Sequence, residues 1–250
     1  MTISVTQQIE SRTFLQAVQR LLLAVGDSVG IGTLASPHSR TMKAMQAAND
    51  ALEACYMAAR WPWRVVHYEI ALVAQQMWYT LPTDFALAHS GPRRNAVMLE
   101  LPFVPLAELY ELHPEIRAVP PGTSVSTTTV IEHAGASYFG MPAGYTIAGG
   151  SVGLFPVPDA DAVSEAPTWL MTYYKLPAEM VGDSDVLDLP KYLWMAHHRI
   201  ALGLLQQSLE FADGQATYFE GMNQLRNQIA MQGLMDTRNE YTVGGLNYNE

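Results

Sequence analysis

Gly149-Gly150-Ser151-Val152-Gly153 has the G-x-S-x-G pattern. In serine hydrolases that pattern holds a serine hydroxyl exposed on a sharp turn between a strand and a helix. Asp183 and His197 follow in the chain order such a triad uses. The residues after the serine argue against it. Leu154-Phe155-Pro156-Val157-Pro158 carries two prolines at alternate positions, and proline inside a helix removes a hydrogen bond and clashes with the preceding turn. A hairpin turn, with Gly149-Gly150 supplying positive φ angles, is the simpler reading. Ser151 is therefore not expected to be a nucleophile. A serine hydrolase using Ser151 is the alternative.

The other reactive side chains read as structure. His197 and His198 are adjacent in a helical pattern, so they point about 100° apart and are poorly placed to chelate one ion. His197 sits on an apolar stripe and reads as a hydrogen-bonded core histidine. His67 and Glu69 make an H-x-E, as in zinc deaminases, but the P-C-x-x-C partner is absent. The two are expected to share the solvated face of a strand. No Lys-Ser or Lys-Thr follows the glycines from Gly26 to Gly32, so there is no P-loop. Asp159, Asp161, Asp183, Asp185 and Asp188 fit no EF-hand spacing. The single cysteine, Cys55, can form no disulfide within the chain and reads as core. No catalytic residue, cofactor or metal site is expected.

The elements that position these residues change in texture along the chain. Residues Val5 to Val25 repeat apolar positions every three or four residues, with Leu15, Val18, Leu22 and Val25 on one helical face. Ser39 is expected to cap a second helix carrying Met45, Ala48, Leu52, Cys55 and Ala59, which should end near Trp61-Pro62. Strand formers follow: Val65 to Val73, Trp78 to Leu81, Asn95 to Leu101, Ser124 to Ile131, Gly144 to Ile147, Val152 to Phe155 and Thr168 to Tyr174. Leu106 to Leu112 reads as a short helix. Helical texture returns after Pro190, with Leu193, His197, Ile200 and Leu204 on one stripe. After Asp213-Gly214 a fourth helix carries Tyr218, Met222, Leu225 and Ile229.

The expected fold is α+β. Helices from residues 1–62 and 186–235 would form a four-helix bundle. Residues 63–185 would form an inserted antiparallel β-sandwich or barrel-like domain. Residues 236–250, with Gly244-Gly245 and three asparagines, lack periodicity and read as an extended tail.

Composition narrows the function classes. Of 250 residues, Asp and Glu number 24 against 14 Lys and Arg, a net charge of -10. Phosphate-backbone binding needs clustered cations, and the densest basic run is the pair Arg93-Arg94. A sequence-reading nucleic-acid binder is not expected, whereas an acidic wall past which DNA slides is compatible with this balance. Charged residues are only 15% of the chain, against about 25% in typical soluble domains, which fits a surface covered by partner chains. The opening Met1-Thr2-Ile3-Ser4-Val5 lacks the basic start of a signal peptide. Leu21 to Val25 is too short to span a membrane.

Five segments then stand in a distinctive order: Trp61-Pro62-Trp63; Trp78-Tyr79-Thr80-Leu81-Pro82-Thr83-Asp84-Phe85; Pro142-Ala143-Gly144-Tyr145-Thr146-Ile147; Gly153-Leu154-Phe155-Pro156-Val157-Pro158-Asp159; and Tyr173-Tyr174-Lys175-Leu176-Pro177. Leu187-Asp188-Leu189-Pro190 follows before a long helix. In this order they resemble the tailed-bacteriophage head-to-tail adaptor (connector) family, of which the tail tubular protein A type of short-tailed phages is one form. Locally, Leu81-Pro82 should end a strand, Asp84 should cap the following turn, and Pro156 and Pro158 should protect a sheet edge.

The resemblance implies a virion structural protein in the neck, made in the host cytoplasm, with no catalysis. It implies a dodecameric ring of this chain that docks on the portal protein, joins it to the tail nozzle or tube proteins and lines the DNA exit channel. Genomic DNA would pass without sequence-specific binding, and no membrane is involved. The tail matches no family motif. By position, Tyr241, Val243, Leu246 and Tyr248, its large apolar and aromatic side chains, are the candidate portal contacts. Another virion tail or baseplate subunit is a further alternative.

Overall fold

The computed structural model describes residues 12–27, 31–35, 37–94, 100–112 and 139–233. The chain is mixed helix and strand, with two small antiparallel sheets. It divides into two compact units. Of the described residues, one joins those up to Trp61 with those from Leu176 to Gly233, and the other takes those from Pro62 to Lys175.

The first described helix of the helical unit is α1, Phe14–Ala24. Thr13 and Gln16 form a reciprocal capping box, each side chain meeting the other's backbone N–H, which satisfies two donors that a helix start leaves free. Phe14, Val18, Leu21 and Leu22 are buried on one face, each stabilising by about 1.5–3 kcal/mol. Helix α2 is Ser39–Met57. Its cap position falls on His38, which makes no side-chain capping bond, so Ser39 is the first helical residue and not the cap. The helix also stops four residues before Trp61. The reason is local: the buried Trp61 indole N–H donates to the Cys55 carbonyl at 2.8 Å, satisfying one of the acceptors a helix end exposes. Cys55 is buried as expected, and burial pushes its thiol up to about 12.

The 3-10 turn Lys191–Leu193 leads into the helix Trp194–Ser208, and Gly214–Met231 closes the described chain. The first of these packs against α1, α2 and the closing helix, so it is the hub of the unit. Its crossing with the closing helix is close. A Cβ at Gly203 would lie 2.4 Å from the Tyr218 backbone nitrogen, and one at Gly221 would lie 2.6 Å from that of Ile200. Only glycine permits that approach.

The strand unit opens with the 3-10 turn Pro62–Arg64. Its strands are β1 Val65–Ala71, β2 Trp78–Thr80, β3 Phe85–Arg94, β4 Gly144–Ala148, β5 Ser151–Phe155 and β6 Thr168–Lys175. Among the described residues two helices lie between them, α3 at Leu106–Leu112 and α4 at Ala160–Glu165. With these named, the last two long helices are α5, Trp194–Ser208, and α6, Gly214–Met231. The sheet orders are β1-β6-β3 and β2-β5-β4. Both sheets feed one apolar cluster that includes Ile70, Tyr79, Tyr145, Leu154, Trp169 and Met171.

Several local expectations need correction. Strand β3 contains Gly91-Pro92, which reads as a loop signal in the sequence. It is tolerated because β3 is an edge strand with three register shifts against β6, the setting in which proline fits a sheet. Pro156 and Pro158 guard no edge: β5 is the central strand of its sheet and ends at Phe155, before both. The Asp84 carboxylate accepts from the Tyr173 hydroxyl at 2.7 Å and does not cap its own turn, which Phe85 N–H closes onto the Pro82 carbonyl. Helix α4 was not foreseen; Asp159 caps it by accepting from Ala162 N–H at 2.7 Å. The strand expected at Ser124 to Ile131, residues 95–99 of the one expected at Asn95 to Leu101, and residues 5–11 of the first helix lie outside the described residues.

Candidate functional site

The G-x-S-x-G segment is a β-hairpin. Ala148 pairs with Ser151, and Gly149 and Gly150 between them have φ of 55° and 73°. Two positive φ values in a two-residue loop match the twist of the flanking strands. Ser151 opens β5 and is only 2% exposed. A strand, not a helix, continues from it. The last glycine has a packing reason: a Cβ at Gly153 would lie 2.7 Å from the Trp78 ring of the paired strand. Every glycine of the motif is thus accounted for by the hairpin.

The residues that would complete a triad have other work, and both lie in the helical unit. Asp183 accepts from the Thr33 hydroxyl and the Leu34 N–H, each at 2.6 Å, tying down the loop between α1 and α2. His197 is buried in α5, with Nε2 at 2.9 Å from the Ala48 carbonyl of α2. That contact requires the proton on Nε2. Among the described residues Nδ1 has no partner, and burial lowers the imidazole pKa to about 4. The ring is therefore a neutral strut between two helices.

His67 and Glu69 are exposed on β1 while Tyr68 turns inward, donating to the Thr80 carbonyl at 2.7 Å. Asp185 accepts from the N–H groups of Val181 and Gly182, which lowers its pKa. Asp188 accepts from the Tyr56 hydroxyl at 2.7 Å. Of the basic pair, Arg94 is engaged with Glu165 at 2.6 Å. Among the described residues no three His, Cys, Asp or Glu are grouped as a metal site, and no helix is long and apolar enough to cross a membrane. Tyr241, Val243, Leu246 and Tyr248 lie outside the described residues.

Among the described residues the helical unit presents several surface depressions, two of which differ in the charge of their lining. The larger, about 750 Å³, runs between α2 and the segment Leu176–Val181. Asn49 fixes its far wall, donating to the Met180 carbonyl and accepting the Met180 N–H, both at 3.0 Å. Met45, Leu52 and Met180 give it an apolar floor; among the described residues Asp50, Glu53 and Glu179 supply the charge of its lining, and all three are exposed.

The smaller depression, about 250 Å³, lies where α1 meets the start of α5. Among the described residues Arg12, Arg20, Lys191 and His198 line it with Trp194 and Met195. The Arg12 guanidinium stacks 4.8 Å over the Trp194 ring, a favourable cation–π arrangement. Burial, then the charges of Arg12, Arg199 and Arg20, lower the pKa of His198. Sequence reasoning sought contiguous basic runs and missed this cluster. Arg12 precedes α1 and Lys191 lies in the 3-10 turn before α5, so no single helical face carries the cluster and no local spacing marks it.

No curated protein matches the chain. A family model described as SU10 adaptor protein matches residues 12–245, which takes in both units.

Proposed function

The chain belongs to the SU10 adaptor protein family, and on that premise we propose that it is a bacteriophage structural adaptor, a virion component without catalytic activity. The observation that carries this reading is the family match across residues 12–245. The burial of Ser151 within β5 supports its non-enzymatic part.

In finer detail, the protein is a subunit of a dodecameric ring in the virion neck, of the tail tubular protein A type. The ring docks on the portal, joins it to the tail and lines the channel by which DNA leaves. The acidic balance of the chain supports the last role, since like charge discourages a passing phosphate backbone from sticking. We take the helical and strand units as two domains, the four long helices as a bundle, the strands as a sandwich, and residues 236–250 as a tail reaching the portal through Tyr241, Val243, Leu246 and Tyr248. Synthesis in the host cytoplasm precedes assembly.

Electron microscopy of virions decorated with an antibody to this chain tests the placement. Label at the neck, between head and tail, is expected. Label confined to the tail tip would reassign the protein to the baseplate.

A further inference from the structure

The groove between α2 and Leu176–Val181 combines apolar walls with acidic charge. Met42, Met45, Asn49 and Glu53 of α2 line it, and Met42 to Glu53 is three helical turns, about 16 Å. Met42 and Val181, from its two sides, are 52% and 64% exposed. Methionine is unbranched and polarizable, so it adapts to apolar surfaces of different shape. Among the described residues the charge of the lining comes from the carboxylates of Asp50, Glu53 and Glu179, all exposed.

The walls offer little backbone to a partner chain. The N–H and C=O groups of α2 are bonded along the helix. The Met180 N–H and C=O are both taken by Asn49, the Val181 N–H donates to Asp185, and Pro177 has no N–H. A strand laid here would bury backbone groups of its own without partners. A helix satisfies those groups internally and needs only side-chain contacts from a groove.

We propose that this groove receives a basic amphipathic helix of a partner protein. Its apolar residues lie against Met42, Met45 and Val181, and its Lys or Arg side chains meet Asp50, Glu53 and Glu179. Apolar burial supplies affinity, while the opposite charges select the partner and fix its register. Like charge turns a phosphate backbone away from the same surface. The proposal goes beyond the adaptor reading and is tested apart from it.

Methyl NMR of the full-length chain, isotope-labelled at its methionine methyls, tests this. The probe is an amphipathic Leu/Lys peptide about four helical turns long, and the control has Glu in place of every Lys. The Leu/Lys peptide should shift the methyls of Met42, Met45 and Met180. It should leave those of Met195 and Met231, which are exposed outside the groove. The Leu/Glu peptide at the same concentration should shift none of them. Glu53→Lys with Glu179→Lys should weaken the Leu/Lys peptide by at least about tenfold and admit the Leu/Glu peptide. Glu53→Gln with Glu179→Gln should weaken it less, in the same direction. Unchanged melting temperatures show that both variants are folded.

Silent groove methyls at high Leu/Lys concentration would overturn the proposal. So would equal binding of the two peptides, or equal shifts at Met195 and Met231. Groove methyls that move with protein concentration alone would give the groove to a second copy. A nitroxide on Ser4→Cys or Asn247→Cys, attached while Cys55 stays buried, reports on the chain's own ends. Broadening of the groove methyls by it without peptide would give the groove to that terminal segment. Each of these results removes the partner helix and leaves the family assignment standing.

Discussion

Asn49 and Met180 are joined twice, the side-chain amide donating to and accepting from the same backbone at 3.0 Å in each direction. The pair links the middle of α2 to a segment 131 residues later in the chain, just after β6 returns the backbone to the helical unit. An amide is the one uncharged side chain able to match a backbone N–H and C=O together.

Replacing Asn49 with Leu should therefore destabilise the protein by about 1–3 kcal/mol, because the buried Met180 backbone loses both partners. Asn49→Asp keeps the acceptor and loses the donor, so it should rank between the two. Urea denaturation of the three proteins checks the order.

The hairpin reading of G-x-S-x-G separates Ser151 from its neighbour Gly153. Ser151→Ala should leave assembly intact and cost within about 1 kcal/mol. Gly153→Ala forces a Cβ against the Trp78 ring and should cost about 1–3 kcal/mol. Thermal denaturation measures both. A fluorophosphonate probe should leave Ser151 unmodified; covalent labelling there would restore the hydrolase reading.

The pH dependence of stability should carry the mark of His197. Its pKa falls from 6.5 in the unfolded chain to about 4 when folded. Between those values the unfolded chain binds more protons, so stability is full above about pH 6.5 and declines as pH falls toward 4. His198, also lowered, acts in the same direction. The decline attributable to His197 is on the order of 3 kcal/mol at its fullest. A His197→Gln variant keeps a donor for the Ala48 carbonyl and removes the titration, so its stability should vary less from pH 6.5 to 4. Equal slopes for the two proteins would show that His197 is not the titrating strut.

Much of this fold was legible in the sequence, for reasons that differ by element. Helix α3 and strands β4, β5 and β6 announce themselves by period and by Gly and Pro punctuation, which are local signals. The hairpin at Gly149-Gly150 is local too. Strand β3 was hidden because Gly91-Pro92 reads as a break, and only its edge position beside β6 makes it tolerable. The roles of Asp84, Asp183 and Asp188 were hidden because their partners Tyr173, Leu34 and Tyr56 are distant in sequence and near only in the fold. The basic cluster escaped for the same reason, since α1 and α5 are far apart along the chain.

The tail is separable from the fold on the present reading. Removing residues 236–250 should leave the melting temperature of the subunit unchanged and abolish completion of portal-bearing heads. Its apolar side chains are few, and ordering each residue costs about 1–2 kcal/mol that a partner surface must offset. Truncated protein that still completes heads would move the portal contact elsewhere on the chain.

The central claim is that portal turns this subunit into a ring. Lateral contacts too weak to hold in solution gain from one another once a template aligns them. Native mass spectrometry of the purified protein, with and without portal, tests this directly. Free subunit should appear near its monomer mass of 27.6 kDa, and portal should gain about 330 kDa, the mass of about twelve copies. A stable dimer whose population ignores portal would contradict the claim.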